Sequence, residues 1–333
     1  ISANDKQSGS NNPNGIYEAI IYLDGSPLSA FELDNISYDE TRYVNANIDY
    51  KTRAAGGPYI QYLSRLPGYP EGVYKDINGD GVIELKDTNI HQVKIVVKDA
   101  KENKAVLEFR IKKDLVGKKV NSGFSNANEF QPGTVNVFEN ENLQIYLPFA
   151  TLYDSVSFFH SEKSSSSPQS YSAIYSILSG LIPAQDYFTV RIKADKNVPQ
   201  NLTDKILIER SWNGKSEVMK ATRNGDWYFA KFRAFGNFEL IADDEPPVIK
   251  ANFHDDAKIS NYKAIIIIPK DQNDEINNFR AEIDGKWLRF SNDKGRSFIY
   301  IFDEKCSIGK HELKVSVMDE SGNKTEKTLH FTR

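Results

Sequence analysis

The chain has 333 residues, 42 Lys and Arg against 46 Asp and Glu, a formal net charge of −4 and 39% hydrophobic residues. That length suits two to three domains and is enough to bury real cores. No basic run stands out to neutralise phosphates, no stretch approaches the roughly 20 apolar residues of a spanning helix, and the lone Cys306 excludes a disulfide framework or a multi-cysteine metal site. Nucleic acid and a membrane span are therefore not expected.

The chain opens Ile1-Ser2-Ala3-Asn4-Asp5, without an initiator Met or the charged and apolar regions of a leader. The first strand signal is EAIIYLDG, ending in Asp24-Gly25. Further on, His91 to Lys113 (HQVKIVVKDAKENKAVLEFRIKK) reads as a hairpin, with Val93, Ile95 and Val97 alternating along its first strand. The same order returns at the end of the chain. FRAEIDG ends in Asp284-Gly285, and His311 to Arg333 (HELKVSVMDESGNKTEKTLHFTR) repeats the His, a Lys three residues on, an Asp eight on and an Asn-Lys pair beyond, with Leu313, Val315 and Val317 alternating. An internal repeat of this kind predicts two related β-units. His91 and His311 hold equivalent positions at strand starts, which argues a packing role.

Glu245-Pro246-Pro247-Val248-Ile249 precedes the last copy as a rigid extended opening, of the kind that starts a sandwich after a linker. The first copy has no counterpart. Ile1 to Asp5 correspond to Ile267 to Asp271, so the first unit is expected to lack its leading strand and polypeptide is expected to have continued before Ile1.

Relative to the last copy, the first carries about forty extra residues between its Asp-Gly turn and its hairpin, more than a plain connection needs. They include DETRYVNANIDYKTR and the aromatic, proline-rich GGPYIQYLSRLPGYPEGVY. Tyr59, Tyr62, Tyr69 and Tyr74 in that stretch suit either a stacking surface for sugar or peptidoglycan or a set of anchors for the insertion. Anchoring is the expected role in a loop this long. The insertion ends in DINGDGVIELKD, Asp76 to Asp87, whose spacing matches an EF-hand-type calcium loop: Asp76, Asn78, Asp80, the Val82 carbonyl, Glu84 and Asp87 as ligands, with Gly81 at the sixth position. The alternative is a solvated Asn/Asp/Gly turn that uses the same residues. An ion here would staple a loop rather than do chemistry.

The middle of the chain is strand-rich (VNVFEN, LQIYLPF, YFTVRIKA, KILIERS, WYFAKFRAFGNFELIA) and broken by turns at Asn213-Gly214 and Asn224-Gly225. Ser164 to Pro168 reads as an exposed loop, and no long amphipathic helix is evident. Trp227 and Trp287 are expected in sandwich cores or at edges.

Catalytic signals are absent. No H-x-H or H-E-x-x-H occurs, so His160 near Glu162 and His254 beside Asp255 and Asp256 read as surface hydrogen-bonding groups. No G-x-S-x-G elbow is present, and Cys306 reads as a small buried hydrophobe. Pairs of carboxylates are inevitable among 46 acidic residues, so a glycosidase acid and base cannot be picked out by sequence.

The runs NGIYEAIIYLDG (Asn14 to Gly25), SYDETRYVNANIDY (Ser37 to Tyr50), LSRLPG (Leu63 to Gly68), LPFATLYDSVSF (Leu147 to Phe158), WYFAKFRAFGNFELIADDEPPVIK (Trp227 to Lys250), IDGKW and GKHELKVSVMDESGN together resemble the C-terminal region of lysostaphin-like (LytM-type) zinc metallopeptidases of Gram-negative envelopes. That resemblance implies an extracytoplasmic protein, in the periplasm or at the cell surface. In that family a preceding peptidase domain binds Zn²⁺ through H-x-x-x-D and H-x-H and cuts peptidoglycan crosslinks. Neither motif occurs in this chain, so no catalytic or zinc-binding residue carries over. The calcium-type loop departs from the family pattern.

The expectation is thus an all-β chain of tandem immunoglobulin-like β-sandwich domains: residues 1–114 with the long insertion and calcium-type loop, 115–244, and 245–333. Its expected function is that of the non-catalytic C-terminal region of a peptidoglycan-directed metalloendopeptidase, acting in targeting, partner binding or regulation. Peptidoglycan, an envelope protein or its own peptidase domain would be its partner. The alternative is a free-standing surface adhesin or carbohydrate-binding protein.

Overall fold

A computed structural model describes all residues except 7–8, 10–12, 71, 115–128, 274–275 and 294–295. The expected boundary between the first and middle units at 114/115 and the start of the middle unit lie among residues outside that description. Strands dominate, in several separate antiparallel sheets, as tandem β-sandwiches require. Among the described residues no helix is long and apolar enough to cross a membrane.

The first unit opens with a ribbon of β1 (Asp5–Lys6) and β2 (Pro13–Asn14). Its sheet contains β3 (Glu18–Leu23), β4 (Ser26–Glu32), β5 (Tyr74–Asp76), β6 (Ile90–Lys98) and β7 (Lys104–Lys112), in the order β5-β4-β3-β6-β7. Asp24 and Gly25 both take positive φ, 49° and 85°, which gives the turn the twist a two-residue hairpin needs. Ala19, Ile21, Val93 and Ile95 point to one face of this sheet and are buried. The insertion lies over that face: two 3₁₀ turns, Tyr38–Glu40 and Tyr43–Asn47, the helical turn Tyr50–Ala54, and the chain through Leu63, Leu66 and Ile83. Among the described residues the first unit therefore has one five-stranded sheet backed by the insertion, where the last unit has two sheets.

The middle unit contributes β8 (Glu129–Phe130), β9 (Asn136–Glu139), β10 (Leu143–Leu147), β11 (Val156–Ser157), β12 (His160–Lys163), β13 (Ile174–Ile177) and β14 (Pro183–Lys193). It continues with β15 (Ile206–Trp212), β16 (Lys215–Lys220), β17 (Thr222–Asn224), β18 (Trp227–Ala234) and β19 (Gly236–Ala242). Two five-stranded sheets, β17-β18-β14-β10-β9 and β12-β13-β19-β15-β16, face each other over Leu143, Ile145, Phe188, Val190, Ile208, Phe232, Phe238 and their neighbours, and β8 pairs with β11. The run read as one strand from Trp227 to Ala242 divides between these sheets at Gly236. Its φ is 148°, and a Cβ there would stand 2.8 Å from Ser211 O, so only glycine lets the chain cross.

The last unit has β20 (Val248–Ala251), β21 (Ala257–Lys258), β22 (Ala264–Lys270), β23 (Ile276–Ile283), β24 (Lys286–Trp287), β25 (Ser291–Asp293), β26 (Ser297–Ile301), β27 (Lys310–Asp319) and β28 (Lys324–Thr332). Sheets β20-β22-β26-β25 and β21-β28-β27-β23-β24 enclose a core of Ile265, Ile267, Ile283, Leu313, Val315, Val317, Leu329 and Phe331. The repeat is visible throughout: β3, β4, β6 and β7 stand to one another as β23, β24, β27 and β28 do.

Adjacent units are tied by side chains of the segments between them. Tyr153 of the middle unit sits in the first unit's core, its ring 5.7 Å from Tyr43 and 6.2 Å from Tyr69. Gly68 N donates to Tyr153 O at 2.7 Å, and a Cβ on Gly68 would collide with Leu152 O at 2.2 Å. Arg42 donates to Ala184 O and Arg233 O at 3.1 and 3.0 Å. Between the middle and last units, Asn323 Nδ2 donates to Asp243 O at 3.0 Å and Lys220 Nζ to Ser321 O at 3.0 Å.

Candidate functional site

The calcium-type loop follows β5 directly. Arg65 Nε donates to both Asp76 oxygens at 3.1 Å, and its NH2 group bonds the same carboxylate. Asn78 Nδ2 donates to Pro27 O at 2.7 Å, and Asp80 Oδ1 accepts from Val82 N at 3.0 Å. Asp87 Oδ1 accepts from Asn89 N at 2.7 Å and lies 3.1 Å from His91 Nε2. Val82 and Glu84 are exposed. Gly81 is required as the spacing implies: its φ is 91°, and a Cβ would meet Leu63 O at 2.5 Å. The loop is thus formed and tightly turned. Two of the six expected ligands, Asp76 and Asp87, are engaged by Arg65 and His91.

The insertion's tyrosines are anchors. Tyr69 and Tyr74 are buried with ring centroids 5.0 Å apart, Asn47 Nδ2 donates to the Tyr74 hydroxyl at 2.6 Å, and Tyr62 donates to Asp49 Oδ1 at 3.0 Å. Only Tyr59 of the four is exposed. Cys306 is fully buried, and burial pushes its thiol pKa up, as for a structural hydrophobe. His160 packs its ring against Phe138 at 4.4 Å. His91 and His311 each bond the aspartate of the neighbouring Asp-Gly turn.

Among the described residues, two carboxylate clusters have the donor types of a cation site. Exposed Asp255 and Asp256 gather around His330 rather than His254. Asp243, Asp271 and Asp319 meet at the joint between the middle and last units, their carboxylate oxygens within 4.8 Å of one another. Asp243 and Asp319 are each 1% exposed, so no sugar substrate reaches them. Asn273 Nδ2 bonds Asp243 Oδ2 at 2.7 Å, and Asn323 N and Nδ2 bond the two oxygens of Asp319 at 2.7 and 2.9 Å. Burial pushes the Asp271 carboxyl up to about 6, with the neighbouring charges of Asp243 and Asp319 adding to it. Asp243 is raised for the same reasons.

The arrangement best suited to a ligand is the outer face of the sheet β17-β18-β14-β10-β9. Alternation places Tyr146 on β10, Tyr187, Thr189, Arg191 and Lys193 on β14, and Trp227, Phe229, Lys231 and Arg233 on β18 away from the core. Register then sets them in rows. Val137, Tyr146, Thr189 and Lys231 stand side by side across four strands, and Glu139, Gln144, Arg191 and Phe229 form the next row. Tyr146 and Tyr187 are 46% and 49% exposed. The Arg191 guanidinium stacks 5.0 Å from the Trp227 ring and donates to Gln144 Oε1 at 2.9 Å, and Arg233 stacks 5.4 Å from Tyr187 while its Nε bonds Gln185 O at 2.6 Å. Flat rings with braced guanidinium groups between them hold sugar rings by apolar contact and carboxylates by charge-assisted hydrogen bonds. The sequence reading missed this face. Its signal was the outward alternation of Tyr187, Thr189 and Arg191 within YFTVRIKA, visible only once Phe188, Val190 and Ile192 are known to point inward.

The Zu5-like domain family matches residues 127–243, the middle unit. No curated protein matches the chain. Among solved structures, the chain is similar to an endo-β-1,4-mannanase from Thermotoga petrophila, at 10% identity over 27% of this chain and 20% of that one, with a TM-score of 0.23. It is similar to fibronectin(III)-like modules of Clostridium thermocellum CbhA, at 13% identity over 46% and 86%, with a TM-score of 0.22. It is also similar to SGBP-B of the Bacteroides ovatus mixed-linkage glucan utilization locus, solved with a mixed-linkage heptasaccharide, at 10% identity over 95% and 60%, with a TM-score of 0.19. The chain thus spans about a fifth of the mannanase's length. At these TM-scores none of the three structures bears on function.

Proposed function

We propose that this chain is a non-catalytic binding region that holds an extracytoplasmic protein on cell-wall polymer, with the outer face of the middle unit as the contact surface. The observation that carries this reading is the joint presence of Tyr146, Tyr187, Trp227 and Phe229 with Arg191, Lys193, Lys231 and Arg233 on one sheet face of a chain whose net charge is −4. Peptidoglycan presents both complements, sugar rings with apolar faces and the carboxylates of its stem peptides.

The finer form of the proposal follows the resemblance to LytM-type proteins. The parent is a zinc metalloendopeptidase, Zn²⁺ belongs to its peptidase domain, and the present units target, restrain or dock that domain against the wall or an envelope protein. A free-standing adhesin or carbohydrate-binding protein would use the same face on another polysaccharide. Calcium at the Asp76–Asp87 loop is a structural part of this proposal and requires Asp76 to leave Arg65.

Co-sedimentation with purified peptidoglycan sacculi tests the binding role. The chain is expected in the pellet, and Tyr146→Ala with Tyr187→Ala is expected to weaken binding about tenfold, since each ring contact contributes about 0.5–1.5 kcal/mol. Sacculi that leave the chain in the supernatant, or a double variant that binds as well as the parent, overturn it. Zinc-ligand motifs in the polypeptide encoded before Ile1 distinguish the peptidase parent from the adhesin.

A further inference from the structure

The second strand of the first hairpin, β7, pairs with β6 over its whole length, from Lys98↔Lys104 to Ile90↔Lys112. Among the described residues nothing pairs with its other edge. Register puts Leu107 and Phe109 on the same face as the buried Ile95 and Val93, yet they are 54% and 42% exposed. The repeat supplies the control. In the last unit the residues equivalent to Phe109 and Ile111 are Leu329 and Phe331, only 3% and 2% exposed. There, the facing sheet β20-β22-β26-β25 covers this side, β21 pairs with the last two residues of β28, Phe331 and Thr332, and Phe253 packs its ring 5.5 Å from Phe331. In the first unit no second sheet covers Leu107 and Phe109 among the described residues, and a long exposed edge flanked by apolar side chains is a template for pairing.

We propose that a second copy of this chain covers the edge, β7 of one copy pairing antiparallel with β7 of the other about a two-fold axis at Phe109. The pairing rests on independent observations from those behind the binding face. Its register follows from the hairpin. Asp99 N donates to Asn103 O at 3.1 Å, which makes Asp99/Asn103 a hydrogen-bonded pair. Counting by twos, Leu107 and Phe109 turn their backbone groups toward β6, while Val106, Glu108 and Arg110 turn theirs outward. An isologous pair must then match outward residue with outward residue.

Centred on Glu108, such a pair sets Glu108 against itself and Lys104 against Lys112. Centred on Leu107, it sets Arg110 against Lys104. Centred on Phe109, it sets Glu108 of each copy opposite Arg110 of the other, twice, and Leu107 opposite Ile111, twice, with the two Phe109 rings on the axis. Centred on Val106, it sets Glu108 opposite Lys104 but Leu107 opposite only Ala105 and Phe109 opposite Asn103. Opposite charges and large apolar residues facing across strands stabilise the pair, and like charges oppose it, so the Phe109-centred register, which supplies both, wins. Lys94, 3.8 Å from Glu108 within its own chain, leaves the carboxylate's outward side open to the incoming arginine.

Sedimentation of the whole chain across the micromolar range tests this. The expected species is a dimer. Glu108→Arg alone and Arg110→Glu alone are each expected to raise its dissociation constant at least tenfold, and the two together to restore it. Phe109→Cys is expected to crosslink the dimer under mild oxidation, because Cα atoms of a facing non-hydrogen-bonded pair lie about 4.5 Å apart, within disulfide reach, and the native thiol of Cys306 is buried. A monomer throughout that range overturns the proposal. So does a dimer indifferent to both single charge reversals, which pairs through another surface.

Discussion

His311 Nδ1 lies 2.7 Å from Asp284 Oδ2, and in the first unit His91 Nδ1 lies 2.7 Å from Asp24 Oδ2. The backbone agrees as closely. Asp284 Oδ1 accepts from Glu312 N at 2.9 Å and Asp24 Oδ1 accepts from Gln92 N at 2.8 Å. In each unit the carboxylate of a tight Asp-Gly turn clasps the start of the neighbouring strand. Both aspartates have positive φ, which Asp tolerates better than most residues. The repeat thus preserves a device, turn plus clasp, through extensive change elsewhere.

The clasp gives the first unit a pH dependence. The bond to Asp24, helped by the one to Asp87, holds the His91 pKa above the ordinary histidine value near 6.5. A raised folded-state pKa for a base means stabilisation that is complete below about 6.5 and is lost as pH rises through the higher folded value. Thermal unfolding is therefore expected to occur at lower temperature at pH 8 than at pH 6. Asp24→Asn should shrink that gap, and a variant that keeps the full gap would place the titration elsewhere.

Both hairpins were legible in the sequence because each is local, whereas the clasp joins residues 67 and 27 apart and only the equivalence of the two histidines was visible. Asp-Gly, the alternating valines and the spacing of Asp99 from Asn103 all act within one hairpin, where Asn103 N bonds Asp99 Oδ1 at 2.9 Å as Asn323 N bonds Asp319 Oδ1. The anchoring role of Tyr69 and Tyr74 was legible for the same kind of reason, since an insertion this long has to be pinned. What was not legible depends on which sheet a strand joins. Trp227, expected in a core or at an edge, lies on an outer face against Arg191, because β18 turns the alternate residues Tyr228 and Ala230 into the core. Ion pairs between distant residues were invisible too: nothing in DINGDGVIELKD shows that Arg65 holds its first aspartate.

The carboxylates at the joint between the middle and last units also lose stability as pH rises, here because a charge is penalised rather than because a favourable one is lost. The Asp271 pKa is pushed up to about 6, against about 3.9 for an ordinary aspartate. Below about 4 both folded and unfolded chains carry this group protonated. As pH rises toward 6 the unfolded chain ionises first, so stability falls, and above about 6 the loss is complete. Asp271→Asn removes the penalty. It is expected to raise the melting temperature at pH 7.5 and to leave it unchanged near pH 4. Asp271 oxygens serve Asn273 N at 3.0 Å, a bond the asparagine carbonyl can keep. Equal melting temperatures at pH 7.5 would show that the three charges are already relieved there.

Calcium binding at Asp76–Asp87 sets an ion against two protein partners. Arg65 bonds Asp76 through two nitrogens and also reaches Tyr69 O at 2.9 Å, so it joins the loop to the core beneath it. His91 holds Asp87. An ion at this loop has to replace both, and its apparent affinity is reduced by the fraction of chains in which they stay closed. Calcium is expected to raise the melting temperature, with a midpoint that shifts to lower calcium in Arg65→Gln because Asp76 is released. Asp80→Ala is expected to abolish the gain, since Asp80 supplies the central ligand; the bond it also accepts from Val82 N is lost with and without calcium alike, so the comparison is of the calcium-dependent shift within each protein. Scans in calcium and in chelator, run on the three proteins, separate the outcomes. Coincident curves for the parent chain count against an ion at this loop, and a gain that survives Asp80→Ala moves the ion to another site.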